Sequence, residues 1–186
     1  MYETKEIIAD GFLTLLNGKS PNKITVKDIC QQSNISRETF YYHFTDKYDL
    51  FKWIYKDNLR KRIQNNSQES SWADLIRKTI GDALANRGLF KKTMKDASSP
   101  EYSKIIFEAL YEFYVEELSK GQSDGKLPEQ VEAEIYIYLK GGMDYFKYYF
   151  EHHDDTSYDN ISKLIAGAMP ESLSQLWKNN ISKNPS

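Results

Sequence analysis

Cysteine, proline and glycine are scarce in this 186-residue sequence. A single cysteine, Cys30, excludes an intramolecular disulfide framework and a cysteine-rich zinc site. Five prolines and nine glycines leave most of the length free for regular structure. No stretch approaches the roughly 20 apolar residues that span a bilayer, and no basic start precedes an apolar run as in a secretory signal. We therefore expect a cytoplasmic protein whose one thiol is buried.

The formal charge of −2 is small, but its distribution along the chain is uneven. Residues 1–66 contain eleven Lys and Arg against eight Asp and Glu, whereas the rest contains fourteen against nineteen. A positive N-terminal region joined to an acidic body is typical of a nucleic-acid-binding module with a second domain. Ordinary surface scatter gives a difference of this size about as often.

The N-terminal region predicts two helices. Apolar residues at helical spacing predict the first over about residues 3–17, ended by Asn17 and Gly18 in a left-handed cap. Thr25 and Asp28 have the spacing of a capping box, in which hydroxyl and acid each bond the other residue's amide. A second short helix should therefore begin directly after Thr25.

The stretch from Ser36 to Lys47 predicts a third helix with two different faces. Ser36 can cap it, and the rings of Phe40 and Phe44, four residues apart, share the buried side. Asn34, in the turn before it, tolerates a left-handed backbone. Two short helices joined by a three-residue turn make a helix-turn-helix, whose second helix enters the DNA major groove.

The outer face of this third helix carries side chains suited to base edges. Arg can donate two bonds to guanine, Thr and Tyr can contact thymine methyl groups, and Glu can accept from cytosine N4. The predicted base-contacting residues are Arg37, Glu38, Thr39 and Tyr42. Glu38 has a competing role, because an acid in the first turn is favoured by the helix dipole.

The segment Ile24-Thr25-Val26-Lys27-Asp28-Ile29, followed by the Thr-Phe-Tyr-x-His-Phe-x-x-Lys pattern that ends at Lys47, resembles the DNA-binding domain of the TetR family of transcriptional regulators. The resemblance covers residues of about 5 to 55, with Cys30 where Ala is usual and Asn34 where Gly is usual. It implies phosphate contacts from Thr25, Lys27, Ser36, Tyr41, His43 and Lys47. Tyr41 could instead pack against the first helix.

The remaining periodicity predicts helices and no strand. A helix over about 128–152 is apolar on nearly every side, so we expect both sides to be covered. The last helix, about 159–180, contains Pro170, which should kink or split it. The predicted fold is all-α, with a three-helix helix-turn-helix DNA-binding domain over 1–47 and a larger helical dimerisation and ligand domain over 48–186.

The C-terminal helices have more apolar surface than one subunit can cover, and one recognition helix reads too few base pairs for genomic specificity. We therefore expect a homodimer, joined by a four-helix bundle, on a palindromic operator. The predicted interface residues are Ile137, Gly141, Ile161, Leu164, Ile165, Ala168, Leu173 and Leu176. Glycine within a helix costs about 1 kcal/mol relative to alanine. Either room for a ligand or close helix approach at Gly141 and Gly142 would offset this cost, and we favour close approach at a subunit interface.

Tyrosines of the C-terminal body could line a cavity for a small, partly apolar effector. The candidates are Tyr102, Tyr111, Tyr138, Tyr145 and Tyr149. They could equally be core aromatic residues, and the sequence alone leaves both interpretations open.

No residues are arranged for catalysis, and no cofactor is predicted. The run His152-His153-Asp154-Asp155 contains metal-binding residue types. Neighbouring residues on a helix point about a quarter-turn apart, so they cannot all converge on one ion. We expect a solvated helix end and no metal site.

The predicted function is a DNA-binding transcriptional regulator and not an enzyme. The family resemblance implies by default a ligand-responsive repressor acting as a homodimer on double-stranded DNA. The alternative is a TetR-like coactivator working through a protein partner, because the helical body resembles, more distantly, that of such proteins in dihydroxyacetone utilisation. No membrane partner is expected.

Overall fold

The computed structural model describes residues 3–64, 72–85, 99–152 and 158–183. Over these residues the chain is all-α, which confirms the predicted fold class. The helices are α1 (Thr4–Gly18), α2 (Val26–Gln32), α3 (Arg37–His43), α4 (Lys47–Gln64), α5 (Trp72–Ala85), α6 (Ser99–Ser119), α7 (Glu129–His152), α8 (Tyr158–Gly167) and α9 (Glu171–Lys183), with a short 3₁₀ helix at Pro21–Lys23. None of these helices is long and apolar enough to cross a membrane. The helical turn that Leu89, Phe90 and Met94 predict lies outside the described residues.

The described residues divide into two compact units. The first contains residues 3–55 and 99–106, and the second contains the described residues of 56–85 and 107–183. Helices α4 and α6 contribute residues to both units. The functional division at residue 47 stays a prediction.

Residues spaced three and four apart build the core of the first unit. The fully buried side chains include Ile8, Phe12 and Leu16 on α1, Ile29 on α2, Phe40 on α3 and Leu50 on α4. Burying each such side chain contributes roughly 1.5–3 kcal/mol. Tyr102 of α6 joins this unit, with its ring 5.0 Å from that of Phe51. The apolar stripe of each short helix therefore fixes the orientation of α3.

Local side-chain hydrogen bonds define the start of α2, and a left-handed residue follows its end. The Asp28 amide donates to Thr25 Oγ1 at 3.1 Å, and the Thr25 amide donates to Asp28 Oδ2 at 2.9 Å, which confirms the capping box. These bonds from Thr25, with a weaker contribution from Lys19, lower the pKa of Asp28 from 3.8 to about 2. Beyond the other end of α2, Asn34 has φ of 53°, which confirms the left-handed turn residue.

The predicted left-handed cap at Asn17-Gly18 is wrong. Helix α1 continues through Gly18 and is followed by Lys19 in an extended conformation, with φ of −119°. The Lys19 amide still donates to Leu15 O at 2.8 Å. Because the chain leaves the helix directly into an extended segment, no left-handed residue is needed there.

In the second unit, Pro170 splits the last predicted helix into α8 and α9, as expected. Pro170 has no amide hydrogen to continue a helix, but its carbonyl accepts from the Ser174 amide at 3.0 Å and so opens α9. The buried residues of this unit include Leu75, Phe113, Ile135, Ile161, Leu173 and Trp177. Ion pairs join α4 to α6: Lys56 pairs with Glu112 at 3.3 Å and also with Glu116, and Arg60 pairs with Glu116 at 2.9 Å.

Helix α7 occupies almost the range predicted for it, but within one chain it is covered on one side only. Its buried residues are Ile135, Tyr138, Leu139, Tyr149 and Phe150. Its exposed large residues are Tyr136, Ile137, Tyr145 and Tyr148. The expectation that both sides are covered therefore stays a prediction, because it depends on the predicted second subunit.

Candidate nucleic-acid interface

The outer face of α3 is open to solvent, whereas its inner face is anchored. Phe40 is fully buried and its ring lies 5.9 Å from that of Phe44, which is buried as well. On the other side Tyr42 is 84% exposed, and Glu38 is also exposed. The predicted base-contacting residues therefore share an accessible face, although Thr39 is only half-exposed.

The start of α3 is held by side-chain bonds. The Thr39 amide donates to Ser36 Oγ at 3.0 Å, which confirms Ser36 as the cap. The two hydroxyl groups also share a hydrogen bond of 2.9 Å. Both side chains are thus oriented by each other before any partner binds.

Arg37 is held beside an exposed tyrosine. Its Nη2 lies 3.4 Å from Tyr41 Oη, and its guanidinium carbon lies 5.8 Å from the centre of the Tyr41 ring. The hydrogen bond to Tyr41 raises the pKa of Arg37, so the guanidinium keeps its charge. Tyr41 is about half exposed, with the edge of its ring against Phe40. Packing within the fold therefore leaves much of Tyr41 available.

Helices α2 and α3 line one shallow surface concavity. Its lining residues are Lys27, Cys30, Gln31, Asn34, Ile35, Ser36 and Arg37. The concavity brings the predicted phosphate-contacting Lys27 and Ser36 together with Arg37 on one surface. Among the described residues, none forms a hydrogen bond or ion pair with the exposed ammonium of Lys27.

Sequence reasoning missed two polar residues of this concavity, Gln31 and Asn34. Gln31 follows Lys27 by four residues, so helical spacing alone could have placed it on the same face. Asn34 was interpreted only as a turn residue. Both present amide groups that can donate and accept hydrogen bonds.

Two predicted phosphate-contacting residues already have partners. Thr25 Oγ1 donates to Asp28 Oδ2 at 2.7 Å as well as accepting from the Asp28 amide. Lys47 Nζ donates to the carbonyls of Pro21, Asn22 and Ile24. His43 is half-exposed, with its ring 4.9 Å from that of Tyr42. The phosphate contacts of these residues stay predictions.

Cys30 is buried, as the sequence predicts. Its Sγ lies 3.8 Å from the Ser36 carbonyl, and burial raises the pKa of the thiol. A thiol in that environment is a structural group.

The predicted dimer-interface residues separate into two sets within the second unit. Ile137 is 70% exposed and Leu164 is 56% exposed, and Gly141 and Ala168 are exposed as well. By contrast, Ile161, Ile165 and Leu173 are buried within the single chain, and Leu176 is half-buried. A Cβ at Gly142 would lie 3.4 Å from Ile165, whereas one at Gly141 would meet no atom within 4 Å. The close approach at Gly142 is therefore between helices of one chain, and Gly141 is open.

The predicted pocket tyrosines do not all lie in one unit. Tyr102 is buried in the first unit, whereas Tyr111, Tyr138, Tyr145 and Tyr149 belong to the second. Tyr138 Oη donates to the Ile165 carbonyl at 2.7 Å, Tyr149 is buried, and Tyr145 is exposed. Tyr111 is half-buried, and burial together with Glu132 at 3.5 Å raises the pKa of its hydroxyl.

No three His, Cys, Asp or Glu side chains converge on a common point within the part of the chain that the structure describes. His152 is exposed at the end of α7, and its Nδ1 lies 2.8 Å from the Tyr148 carbonyl oxygen. His153, Asp154 and Asp155 lie outside the described residues.

Curated relatives match parts of this chain. Over 69 residues, 37% of this chain and 37% of the relative, the chain is 35% identical to the HTH-type dhaKLM operon transcriptional activator DhaS of Lactococcus lactis subsp. lactis (strain IL1403). Over 132 residues, 67% of this chain and 35% of the relative, it is 27% identical to the HTH-type transcriptional regulator YxbF of Bacillus subtilis (strain 168). The aligned stretches thus span little more than a third of either relative.

Solved structures share the architecture. The Dihydroxyacetone kinase operon activator DhaS superposes with a TM-score of 0.57 at 18% identity, over 89% of this chain and 96% of that one. The fatty acid degradation regulator FadR from Bacillus halodurans superposes with a TM-score of 0.51 at 14% identity, over 91% and 97%. At these identities the likeness shows the fold alone.

Residues 8–54 match the family model described as bacterial regulatory proteins, tetR family. The match includes both helices of the helix-turn-helix, the Asn34 turn and the start of α4. Over residues 8–54 the chain is therefore similar to the tetR family of bacterial regulatory proteins.

Proposed function

We propose that this protein is a DNA-binding transcriptional regulator that reads base edges with the outer face of α3. The observation that carries the proposal is the exposure of Tyr42, at 84%, on a seven-residue helix whose opposite side is anchored by Phe40. A tyrosine so exposed adds little to the core. Its neighbours offer groups that suit base edges in the major groove: Arg37 has hydrogen-bond donors, and Thr39 has a methyl group for apolar contact. Glu38 lies on the same face, where the helix dipole favours an acid whether or not that acid contacts a base.

Phosphate contacts flank this reading surface. On the concavity that α2 and α3 share, Lys27 has an ammonium that no residue of the described ranges binds, and Ser36, Tyr41 and His43 lie on or beside α3. Thr25 can also contact a phosphate if its hydroxyl gives up the hydrogen bond that it donates to Asp28. Because each neutralised phosphate releases condensed counterions, affinity should fall steeply with salt.

Selection from a pool of random DNA duplexes tests the proposal. Purified protein should enrich an inverted repeat, because a two-fold protein matches a two-fold operator. For binding to the selected duplex, Lys27→Ala should reduce the slope of log affinity against log salt by about 1 per protomer. Lys126→Ala, at an exposed lysine of the second unit, is the matched control and should leave the slope unchanged. Failure to enrich any sequence would count against the proposal.

We also propose that the protein is a homodimer. Ile137 and Gly141 on α7, with Leu164 on α8 and Ala168 directly after it, leave an apolar surface exposed in the single chain. A second copy that placed its own α7 and α8 on this surface would cover it in a four-helix arrangement. Light scattering after size-exclusion chromatography should give twice the 21.8 kDa chain mass. A monomer at micromolar concentration would refute this part.

For regulation we propose a ligand-responsive repressor. Helix α4 contributes residues to both units, so it can relate effector binding to the position of the DNA-binding helices. In the second unit, Tyr111, Tyr138 and Tyr149 are candidates to contact a small, partly apolar effector. Release of the selected duplex by one compound of a small-molecule panel would support effector binding.

A coactivator that acts through a protein partner is the second candidate. The relative DhaS is named as a transcriptional activator, and Tyr136 and Tyr148 are exposed aromatic residues that a partner could cover. In vitro transcription with polymerase, template and this protein alone separates the two functions. A repressor lowers the transcript without any other protein, whereas a coactivator of this kind alone changes nothing.

A further inference from the structure

Two side chains one helical turn apart on α3, Arg37 and Tyr41, form a pair. Arg37 Nη2 donates to Tyr41 Oη at 3.4 Å, and the guanidinium carbon lies 5.8 Å from the centre of the Tyr41 ring. Residues four apart on a helix are neighbours on its surface, so the helix itself brings the two side chains together. The guanidinium is therefore held both by a hydrogen bond and by an aromatic ring.

Tyr41 can support Arg37 because its own ring is fixed on one side. The edge of that ring lies against Phe40, with the ring centres 5.5 Å apart and the planes at 89°. Phe40 is fully buried, whereas Tyr41 is 49% exposed. An arginine side chain has many rotamers in solution, and contact with a fixed neighbour reduces their number. The pair thus orients a long, flexible side chain on the surface proposed to face DNA.

The hydrogen bond between the two residues leaves enough donors for DNA. A guanidinium has five N–H donors, and a bidentate contact with guanine O6 and N7 uses two of them. The bond to Tyr41 uses one hydrogen of Nη2, so four donors remain. The Tyr41 hydroxyl accepts from Arg37 and still has its own hydrogen, which a phosphate oxygen can accept. A base contact by Arg37 and a phosphate contact by Tyr41 are therefore compatible with the pair.

We propose that Tyr41 is a positioning residue for base recognition: it orients the Arg37 guanidinium toward guanine, while its hydroxyl hydrogen binds the phosphate beside that base. An oriented guanidinium loses less conformational freedom on binding than a mobile one. Without the hydroxyl group the guanidinium can reorient, so guanine loses part of its advantage over the other bases. The inference rests on the proposed DNA binding and adds a residue that sets specificity without contacting a base.

The variant Tyr41→Phe tests this role because it keeps the ring and removes the hydroxyl group. Arg37→Ala first identifies the guanine, as the position of the selected duplex where exchanging the base pair no longer changes affinity. At that position Tyr41→Phe should lower the preference for guanine by about fivefold. In the Arg37→Ala background it should lower this preference no further.

The control is Tyr136→Phe, at a tyrosine of α7 that is also 49% exposed, and it should leave the preference unchanged. A Tyr41→Phe protein that binds every base at this position equally more weakly would make Tyr41 a backbone contact alone and overturn the inference. An unchanged preference for guanine in Tyr41→Phe would overturn it as well.

The shared hydroxyl group also predicts which phosphate is involved. Single phosphates of the selected duplex can be replaced by methylphosphonate, which has no charge. One replacement should weaken binding of the wild-type protein but not of Tyr41→Phe, and this phosphate should adjoin the guanine that Arg37 contacts. The same replacement should lower the wild-type preference for guanine. A Tyr41-dependent phosphate whose replacement leaves that preference intact would contradict the shared role.

NMR relaxation of the Arg37 Nε–H bond in the DNA-free protein tests the pair independently of the proposed function. The order parameter should be highest in the wild type, lower in Tyr41→Phe, and lowest in Tyr41→Leu, which also removes the ring. Equal order parameters in all three proteins would overturn the inference. Should the wild-type protein enrich no duplex, the proposed function fails while this measurement still decides whether Tyr41 holds Arg37.

Discussion

Helices α3 and α7 both expose large side chains, but the residue types next to those side chains differ. On α3, the exposed Tyr42 has Arg37, Glu38 and Thr39 on the same helix, all with polar groups. On α7, the exposed Ile137 is followed one turn later by Gly141, a position with no side chain at all.

The difference shows that exposure alone does not identify a partner. An exposed ring surrounded by charged and hydroxyl groups suits an edge that itself donates and accepts hydrogen bonds, as DNA bases do. An exposed aliphatic residue beside an open glycine suits another apolar surface at close range. The neighbouring residue types, and not the exposed residue itself, are therefore the reason that we propose DNA as the partner of α3 and a second copy of the chain as the partner of α7.

The largest effect should come from a charge on the α7 surface. Ile137→Asp would bury a carboxylate in the proposed interface, which should weaken dimerisation by about 100-fold or more. Binding to the inverted repeat should fall with it, while the isolated chain stays folded. Sedimentation equilibrium measures the dissociation constant. Ile7→Asp, at an isoleucine of α1 that is 41% exposed, is the control and should remain a dimer. A dimeric Ile137→Asp protein would remove α7 from the interface.

The next effect tests whether the second unit can be destabilised without changing the base preference of the first unit. Asn180 of α9 donates to the Glu117 and Leu118 carbonyls at 3.2 and 2.7 Å, near the end of α6, and a Cβ at Gly121 would overlap its Oδ1. Gly121→Ala should therefore lower the free energy of unfolding by about 2 kcal/mol. Urea unfolding measures this, and the folded fraction should keep its base preference. Gly18→Ala, where an added Cβ meets no atom within 4 Å, should cost nothing, and an equal loss there would reject the explanation.

A smaller effect should separate the recognition of bases from the electrostatic part of DNA binding. Tyr42→Ala should reduce discrimination at the bases it contacts by about 1 kcal/mol, or roughly fivefold, with little change in the salt slope. The measurement is affinity for the selected duplex and for its single-base variants. Tyr136→Ala removes a tyrosine of α7 that is 49% exposed and should change neither quantity. Equal relaxation by both variants would show that α3 is not the reading surface.

The smallest effect concerns the cap that starts α2. The pKa of Asp28 in the fold is about 2, below its ordinary 3.8, so the ionised carboxylate stabilises the folded state above about pH 4. That stabilisation should be lost as the pH falls from 4 to 2. Asp28→Asn should therefore unfold at a lower temperature than wild type at pH 7, with the gap closing on acidification. Thermal unfolding across this range checks it, and a gap independent of pH would disprove the assigned cause.

Local features of the first unit could be predicted from sequence because their causes lie within a few residues. The Thr25 and Asp28 bonds, the Ser36 cap and the left-handed Asn34 each depend on neighbours three or four positions away. The failed cap at Gly18 shows the limit, since the conformation after α1 depends on where the chain goes next.

Features that join distant segments could not be predicted in this way. Lys47 meets carbonyls 23 to 26 residues earlier, and Asn180 meets carbonyls about 60 residues earlier. Periodicity likewise gave Ile137 and Ile161 the same apolar role, although one is exposed and the other fully buried in the chain. Only the packing of α7 and α8 against other helices distinguishes them.

The most direct test of the account is photo-crosslinking from the surface of α3. Tyr42→p-azidophenylalanine, in the complex with the selected duplex, should crosslink to bases of that duplex on irradiation. The same replacement at Tyr136 should give no crosslink to DNA. Crosslinks from position 136 but not from position 42, or from neither, would contradict the claim that α3 reads the duplex.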